Sequence, residues 1–393
     1  MRSKRPKRSG YAHVLLALGW PYQEIHHGVA RFARDNEWHV TADYDDPVPD
    51  GWSGDGVLTL LGAREDLWEK LRDIKQPIVD LTESRPQIAL PRVTVDNLAI
   101  GKKAAQFFLD RGYTNFTFMH RWEMGVSQNR RQGFVQHLKE AGFECTVHSW
   151  QLENPNARHD RRSRHQWMVS RLTELPKPVA VFTARDTDGV EIIEACDRAG
   201  IRVPDEVAVL SVDNQEAICE CLRCPLSSIE VDWELVGYKG AELLHQLING
   251  GERPEQTLYV PPSSIADRES TNFLAVQEPN VFAALQFIHR HFHEPIQMCD
   301  IVHHIGISRS SLEKAFRAHF RRAPIEELRR IRFESVKMLL QTTDDSVANI
   351  ALQSGFQSDH NLCRAFKREF MMTPSEFRNE ARSSAPESTT RES

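Results

Sequence analysis

Three short polar pairs follow apolar runs in this sequence: Asp96-Asn97, Arg185-Asp186 and Asp213-Asn214. The aromatics Trp20 and Tyr22 stand just after the first apolar run. Carboxylates accept hydrogen bonds from hydroxyl groups, guanidinium groups donate them, and an aromatic face packs on C–H surface. Each pair taken alone can equally be a helix N-cap, since Asp and Asn cap helices well. Three together, with the aromatics, favour a polar cleft for a small hydroxylated molecule. A second set of candidates lies near the C-terminus: Arg309, Ser310, Glu313, Lys314 and Arg317, then Asp359, His360, Asn361, Arg364, Lys367 and Arg368. Arg and Lys suit guanine O6 and N7, Asn suits adenine, and acidic side chains accept from cytosine N4. Glu313 can equally pair with a neighbouring Lys or Arg. Arg317, Lys367 and Arg368 suit phosphates, which set affinity and salt dependence rather than sequence.

The second set is positioned by a stretch that repeats itself. Leu312, Phe316, Phe320, Pro324 and Glu326 return as Leu362, Phe366, Phe370, Pro374 and Glu376, each 50 residues later. Gly306 returns as Gly355, 49 residues later, so the turn differs by one residue. A fixed period marks a duplicated supersecondary unit. A short apolar helix, a glycine turn and a second helix with apolar residues at i, i+4 and i+8 is the helix-turn-helix pattern. The candidates above fall on the outward positions of the second helix in each copy, where a recognition helix meets base edges.

The first set is positioned by alternation. Apolar runs at 13–18, 56–61, 77–81, 93–95, 115–119, 179–183 and 207–212 are separated by helix-length amphipathic stretches such as 97–111, 129–141, 189–199 and 234–248. Strands alternating with helices predict parallel sheet covered on both faces, with right-handed crossovers. So many strands are better placed in two sheets with a cleft than in one. Ligands of open α/β sheets bind outside the strand C-terminal ends, where the polar pairs stand. Thr257–Val260 reads as a strand returning to the sheet, and Pro279-Asn280 opens a helix over 281–293.

At 393 residues two or three domains are expected. The domains read as a basic disordered arm 1–10, a ligand-binding domain 11–271, a linker 272–280, a DNA-binding domain 281–380 and a disordered tail 381–393. Residues 279–378 carry 14 Lys/Arg against 11 Asp/Glu, a net of +3, so the remainder carries −9 of the total −6. A basic module on an acidic body fits contact with nucleic acid. The basic start before Val14–Leu18 mimics a signal peptide, but Trp20-Pro-Tyr follows in place of a small-residue cleavage site, so a cytosolic strand is expected. No apolar run reaches membrane-spanning length, and seven cysteines, an odd number, suit reduced thiols in the cytoplasm. Cys219-x-Cys221-x-x-Cys224 has metal or redox spacing without a clear fourth ligand, and structural thiols are the alternative. His289, His291 and His293 diverge on a helix, so no metal and no cofactor is expected there. His26-His27 stands near the expected cleft. No Walker-type or G-x-S-x-G sequence is present, so no catalytic residue is assigned, and an enzyme fused to a DNA-binding domain is the lesser reading.

Val95-Asp-Asn97, Arg130-Arg-Gln-Gly-Phe134, Arg185-Asp-Thr-Asp-Gly189, Val203-Pro-Asp-Glu206 with Val212-Asp-Asn214, and Leu226-Ser-Ser-Ile229 with Gly237 resemble the LacI/GalR effector domain. That resemblance implies an α/β periplasmic-binding-protein-like fold of type I, with two subdomains and three crossovers. It places Arg130, Arg185 or Asp186, and Asp213 in an effector cleft. The N-terminal headpiece of that family is not found between Met1 and the first strand, and Arg185 stands where the family usually has Asn. Gly306-Ile-Ser308, Leu312 with Phe316, Arg332, Ile350-Ala351, Ser354-Gly-Phe356, Phe366-Lys367 and Thr373-Pro374 with Phe377-Arg378 resemble the AraC-family DNA-binding domain. That implies an all-α tandem helix-turn-helix domain after the effector domain. His304 stands in place of a small Ala, Leu362 in place of an aromatic and Met371 in place of Gly. The joined resemblances imply a sugar-responsive activator of pentose catabolism genes that binds operator DNA as a homodimer and works with RNA polymerase. D-xylose is the implied effector, although no residue by itself selects a pentose, and a different sugar is the alternative.

Overall fold

The computed structural model describes residues 11–19, 22–43, 45–62, 64, 66–157, 159–272, 278–320 and 322–383. The expected arm over 1–10, Trp20, most of the expected linker (273–277) and residues 384–393 lie outside the described residues. The chain divides into two compact units, Met1–Phe108 with Thr114–Phe273, and Leu109–Tyr113 with Leu274–Ser393.

The strands of the first unit are β1 (Ala12–Ala17), β2 (Trp38–Thr41), β3 (Gly56–Thr59), β4 (Ile78–Asp80), β5 (Val93–Val95), β6 (Phe116–His120), β7 (Cys145–Ser149), β8 (Val179–Thr183), β9 (Val207–Val212), β10 (Ser227–Ile229), β11 (Leu258–Val260) and β12 (Ile265–Ala266). One sheet has the order β2-β1-β3-β4, and β5 with β11 adjoins it through the Asp80–Arg92 bridge. A second sheet has the order β12-β10-β9-β8-β6-β7. The chain therefore passes between sheets three times: after β5, after β10 and after β11. The central strands are buried along their whole length, as β3, β8 and β9 show, which is why parallel strands covered on both faces read as continuous apolar runs.

The sheets are parallel as expected except at β12, which pairs antiparallel with β10. The chain enters β12 from the strand ends that face the other sheet, so it must run the opposite way. Strands β2, β7, β10 and β12 were not marked by apolar runs. β7 is an edge strand with Val147 39% exposed, and β10 is Ser-Ser-Ile.

The helices Asn97–Asp110 and Gly125–Glu140 cross at Gly101 and Gly133. A Cβ on Gly101 would run into the carbonyl of Arg130, and one on Gly133 into that of Leu98. This close approach brings the side chains of Asn97 and Arg130 together.

The second unit is helical. Its elements are Pro279–His291, Met298–Ile305, Arg309–Phe320, Pro324–Thr342, Val347–Gln353, Asp359–Phe370 and Pro374–Ser383. The last helix continues to Ser383, past the expected boundary at 380. Pro279 lies in the first turn of its helix, and the Glu278 carboxylate accepts from Val281 N at 2.6 Å. The repeated Pro and Glu of the duplication are helix starts: Glu326 accepts from Ala323 N at 2.6 Å, and Glu376 from Thr373 N at 2.6 Å. Two apolar cores form. One gathers Leu285, Ile288, Ile301, Leu312, Phe316, Leu328 and Ile331. The other gathers Phe333, Val336, Leu340, Ile350, Leu362 and Phe366. The helix Pro324–Thr342 supplies residues to both. Among the described residues no helix is long and apolar enough to cross a membrane.

Candidate functional site

Arg130 is a buried hub between the two sheets. Its guanidinium is 1% exposed and donates from Nε to Asn97 Oδ1 at 2.7 Å, from Nη1 to the Ala184 carbonyl, and from Nη2 to Asp213 Oδ1 at 3.5 Å. Asn97 in turn donates to Glu83 Oε1 at 2.6 Å. Loop 81–84 at the first sheet, the first turn after β5, and the ends of β8 and β9 are thus linked through one guanidinium.

Asp213 follows β9 with a φ of 109°, a conformation that favours glycine, and Asn214 follows at 48°. Its side chain is 5% exposed. Burial pushes the carboxyl up to about 6, while Arg130 and Arg185 pull it down and Asp186 adds to the rise. Tyr22 reaches this group from the end of β1. Its phenol is pushed up to about 12, by burial first and the Asp213 charge second, with Arg185 and Arg130 acting the other way. The Tyr22 ring lies 5.6 Å from that of Trp233. Tyr22, Arg130, Arg185 and Asp213, contributed by segments of both sheets, thus act on one another electrostatically.

Asp186, expected in the cleft, accepts three hydrogen bonds within the second sheet. Oδ1 accepts from the Ser211 hydroxyl and from Ser228 Oγ at 2.6 Å, and Oδ2 accepts from Gln215 N at 2.8 Å. The residue opens the helix Asp186–Ala199, so its side chain turns toward β9 and β10.

The sequence did not single out Glu83, Arg121, Asp188 or Trp233. Asp188 is 3% exposed. Burial pushes its carboxyl up, against the pull of Arg185 and His120. Arg121 Nε, Arg185 Nε, Asp188 Oδ2 and Trp233 Nε1 are buried without a hydrogen-bond partner. The signal was available for Asp188, which stands three residues after Arg185 at the same strand end. His26, near the cleft by expectation, has its pKa lowered by burial and then by His27. Cys219 is buried, Cys221 exposed and Cys224 half-buried. Burial raises the Cys219 thiol and lifts Cys224 to about 11.

In the second unit the two copies present their second helices alike. Leu312 and Phe316, and Leu362 and Phe366, are fully buried. Arg309, Ser310, Lys314, Arg317, Asp359, His360, Arg364, Lys367 and Arg368 are exposed, and Glu313 and Asn361 are half-buried. Glu313 takes the ion-pair alternative: Oε1 accepts from Arg309 Nε at 2.8 Å and Oε2 lies 3.6 Å from Arg317 Nη2. The N-caps also correspond, since Ser308 Oγ accepts from Ser311 N at 3.1 Å and Ser358 Oγ from Asn361 N at 3.2 Å. Gly306 and Gly355 each have a φ of 76°. His304 sits on the helix surface, not in a tight crossing, and its ring stacks on Phe287 with centroids 4.4 Å apart.

Residues 105–271 match a periplasmic binding protein-like domain, and residues 301–380 a helix-turn-helix domain. The chain is 27% identical over 378 residues to the xylose operon regulatory protein of Escherichia coli strain K12, covering 91% of this chain and 93% of that one. It is 29% identical over 297 residues to the xylose operon regulatory protein of Haemophilus influenzae, covering 73% and 74%. A solved structure of a xylose-binding transcription activator shares the fold with a TM-score of 0.59 and 24% identity, over 95% of this chain and 99% of that one. The chain therefore joins a periplasmic binding protein-like domain to a helix-turn-helix domain, and is similar along most of its length to the xylose operon regulatory proteins.

Proposed function

We propose that this protein is a sugar-responsive, DNA-binding transcription regulator, with D-xylose as effector, that activates pentose catabolism genes. One observation carries the reading: a polar cleft drawn from two sheets stands in the same chain as two equivalent helices with exposed base-reading side chains. Sugar hydroxyls donate to Asp213 and accept from Arg130 and Arg185, while Tyr22 covers the C–H face. Asp186 serves this cleft only by holding the ends of β9 and β10. Ligand contacts made by both walls at once favour the closed arrangement by their differential affinity. In the second unit Arg309, Ser310, Lys314, Asp359, His360, Asn361 and Arg364 read bases, with Glu313 setting Arg309, and Arg317, Lys367 and Arg368 hold phosphates. The two motifs read successive major grooves on one face of the duplex. The protein acts as a homodimer in the cytoplasm, contacts RNA polymerase, and turns over no substrate.

Isothermal titration with D-xylose, L-arabinose and D-ribose, followed by footprinting of full-length protein with and without the best ligand, tests this. Binding without turnover, and a sugar-dependent change in DNA protection, are expected. A chain that binds none of the pentoses, or protects no DNA in dilute salt, overturns it.

A further inference from the structure

The unpaired polar atoms of the cleft wall are not scattered. Strands β6 and β8 are neighbours and Met119 pairs with Thr183, so Arg121 and Arg185 leave the sheet side by side, two residues further on. Asp188 lies in the first turn of the helix that Arg185 caps. Burial raises the Asp188 carboxyl, against the pull of Arg185, His120 and the Arg121 backbone N–H, and burial lowers Arg121, followed by Arg164, with Glu191 and Asp188 acting the other way and Arg185 adding to the fall. A guanidinium beside a carboxylate ordinarily pairs with it directly. Here Arg121 Nε, Arg185 Nε and Asp188 Oδ2 are each buried and unpaired.

Other buried charges nearby are partnered at most of their atoms, Arg164 Nη1 being the exception. Both oxygens of Glu191 hold Arg164, from Nε and Nη2 at 2.7 Å each. His120 Nε2 lies 3.0 Å from Glu123 Oε1, and Glu123 also takes Arg131 at 3.1 Å. An unpaired buried polar atom costs about 1–3 kcal/mol, and folded proteins keep few of them. Three at one strand-end corner, of which Arg185 also acts on Arg130 and Asp213, call for a group that matches them. A hydroxyl has one proton to give and two lone pairs to receive with, and the wall offers one acceptor oxygen and two N–H donors. The Arg121 guanidinium is itself steadied over the Trp122 ring, 4.6 Å from its centroid.

We infer that Arg121, Arg185 and Asp188 form a hydroxyl-reading subsite in which one sugar hydroxyl donates to Asp188 Oδ2 and accepts from the Nε–H groups of Arg121 and Arg185. The inference rests on the sugar-binding reading above and adds which groups discriminate among sugars. Arg130, Asp213 and Tyr22 hold the ring, and the Asp188 subsite tests for one hydroxyl.

The test is isothermal titration of full-length wild type, Asp188→Asn and Arg121→Gln with D-xylose and its single-deoxy analogues, or those of whichever pentose wild type prefers. Wild type is expected to lose at least about tenfold in affinity, about 1.4 kcal/mol, for the analogue lacking the hydroxyl that is read. Asp188→Asn is expected to weaken D-xylose binding by a similar factor and to stop discriminating against that analogue alone. Arg121→Gln, which leaves the buried carboxylate in place, is expected to show the same signature. Variants that bind D-xylose as tightly as wild type, or that lose equally for every analogue, overturn the subsite while the sugar reading stands. Wild type that binds no pentose overturns both.

Discussion

Arg332 donates from Nε to the carbonyl oxygen of Phe292 at 2.8 Å. The same guanidinium reaches the carbonyls of Glu294 at 2.6 Å and Ile296 at 3.4 Å. One side chain on the helix Pro324–Thr342 thus serves the open carbonyls beyond the end of Pro279–His291. Gly355, at the turn of the second motif, packs on the same Phe292 carbonyl, where a Cβ would collide.

Replacing Arg332 with Ala removes the donor for three carbonyls, and should destabilise the helical unit by about 2–4 kcal/mol. Lys should not restore it, since an ammonium lacks the planar fork. Gly355→Ala adds a collision to a φ of 76° and should be at least as damaging. Chemical denaturation followed by helical circular dichroism reads all three.

Met371 ends the helix Asp359–Phe370 in the left-handed conformation, with a φ of 61°, and is 85% exposed. An L side chain pays for that conformation and packs against little. Met371→Gly should therefore stabilise the helical unit by about 0.5–1 kcal/mol, seen as a higher denaturation midpoint.

Asp186 and Asp213 should separate stability from binding. Asp186→Ala strands Ser211, Ser228 and the Gln215 N–H, and should cost about 2–4 kcal/mol of stability. Asp213→Asn keeps the shape of its side chain and should fold, yet bind sugar at least about tenfold more weakly. Thermal melts alongside sugar titrations check both halves.

The Asp213 carboxyl, raised from 3.8 to about 6, makes a pH prediction. A folded carboxyl with a raised pKa contributes stability below its unfolded value of 3.8, and that contribution is lost as pH rises to about 6. Glu123 has the opposite sign: lowered from 4.5 to about 2, it contributes above 4.5 and is lost as pH falls toward 2. Sugar affinity needs the ionised Asp213, so it should rise with pH to a plateau above about 6. Titrations between pH 5 and 8 should show this rise in wild type and a flat profile in Asp213→Asn.

On DNA the candidate side chains should divide. Arg317→Ala and Lys367→Ala should weaken binding to all sequences and each lower the log–log salt slope by about 1. Arg364→Ala should cost about 1–3 kcal/mol and relax preference at one base position. Binding isotherms at several salt concentrations, on specific and scrambled duplexes, distinguish the two kinds.

Much of this was legible in the chain itself. Runs such as 179–183 and 207–212 are the observed strands, because a strand buried on both faces must be apolar throughout. The duplicated Leu, Phe, Pro and Glu positions are core and helix-start residues, and chemistry of that kind is local. What stayed hidden depends on neighbours distant in sequence. Asp186 looks like Asp213 at a strand end, and only the positions of Ser211 and Ser228 show that its oxygens are taken. Trp233 and Glu83 reach the cleft from segments far from the polar pairs. His304 stands in place of a small Ala, and only the position of Phe287 shows where its ring goes.

The helix Pro324–Thr342 roots one apolar cluster near its start and the other near its end. An α-helix turns about 100° per residue and rises about 1.5 Å. Inserting or deleting a single residue in its middle would therefore swing one motif a little over a quarter-turn out of phase with its twin. The relative orientation of the two motifs is thus written into the length of one rod.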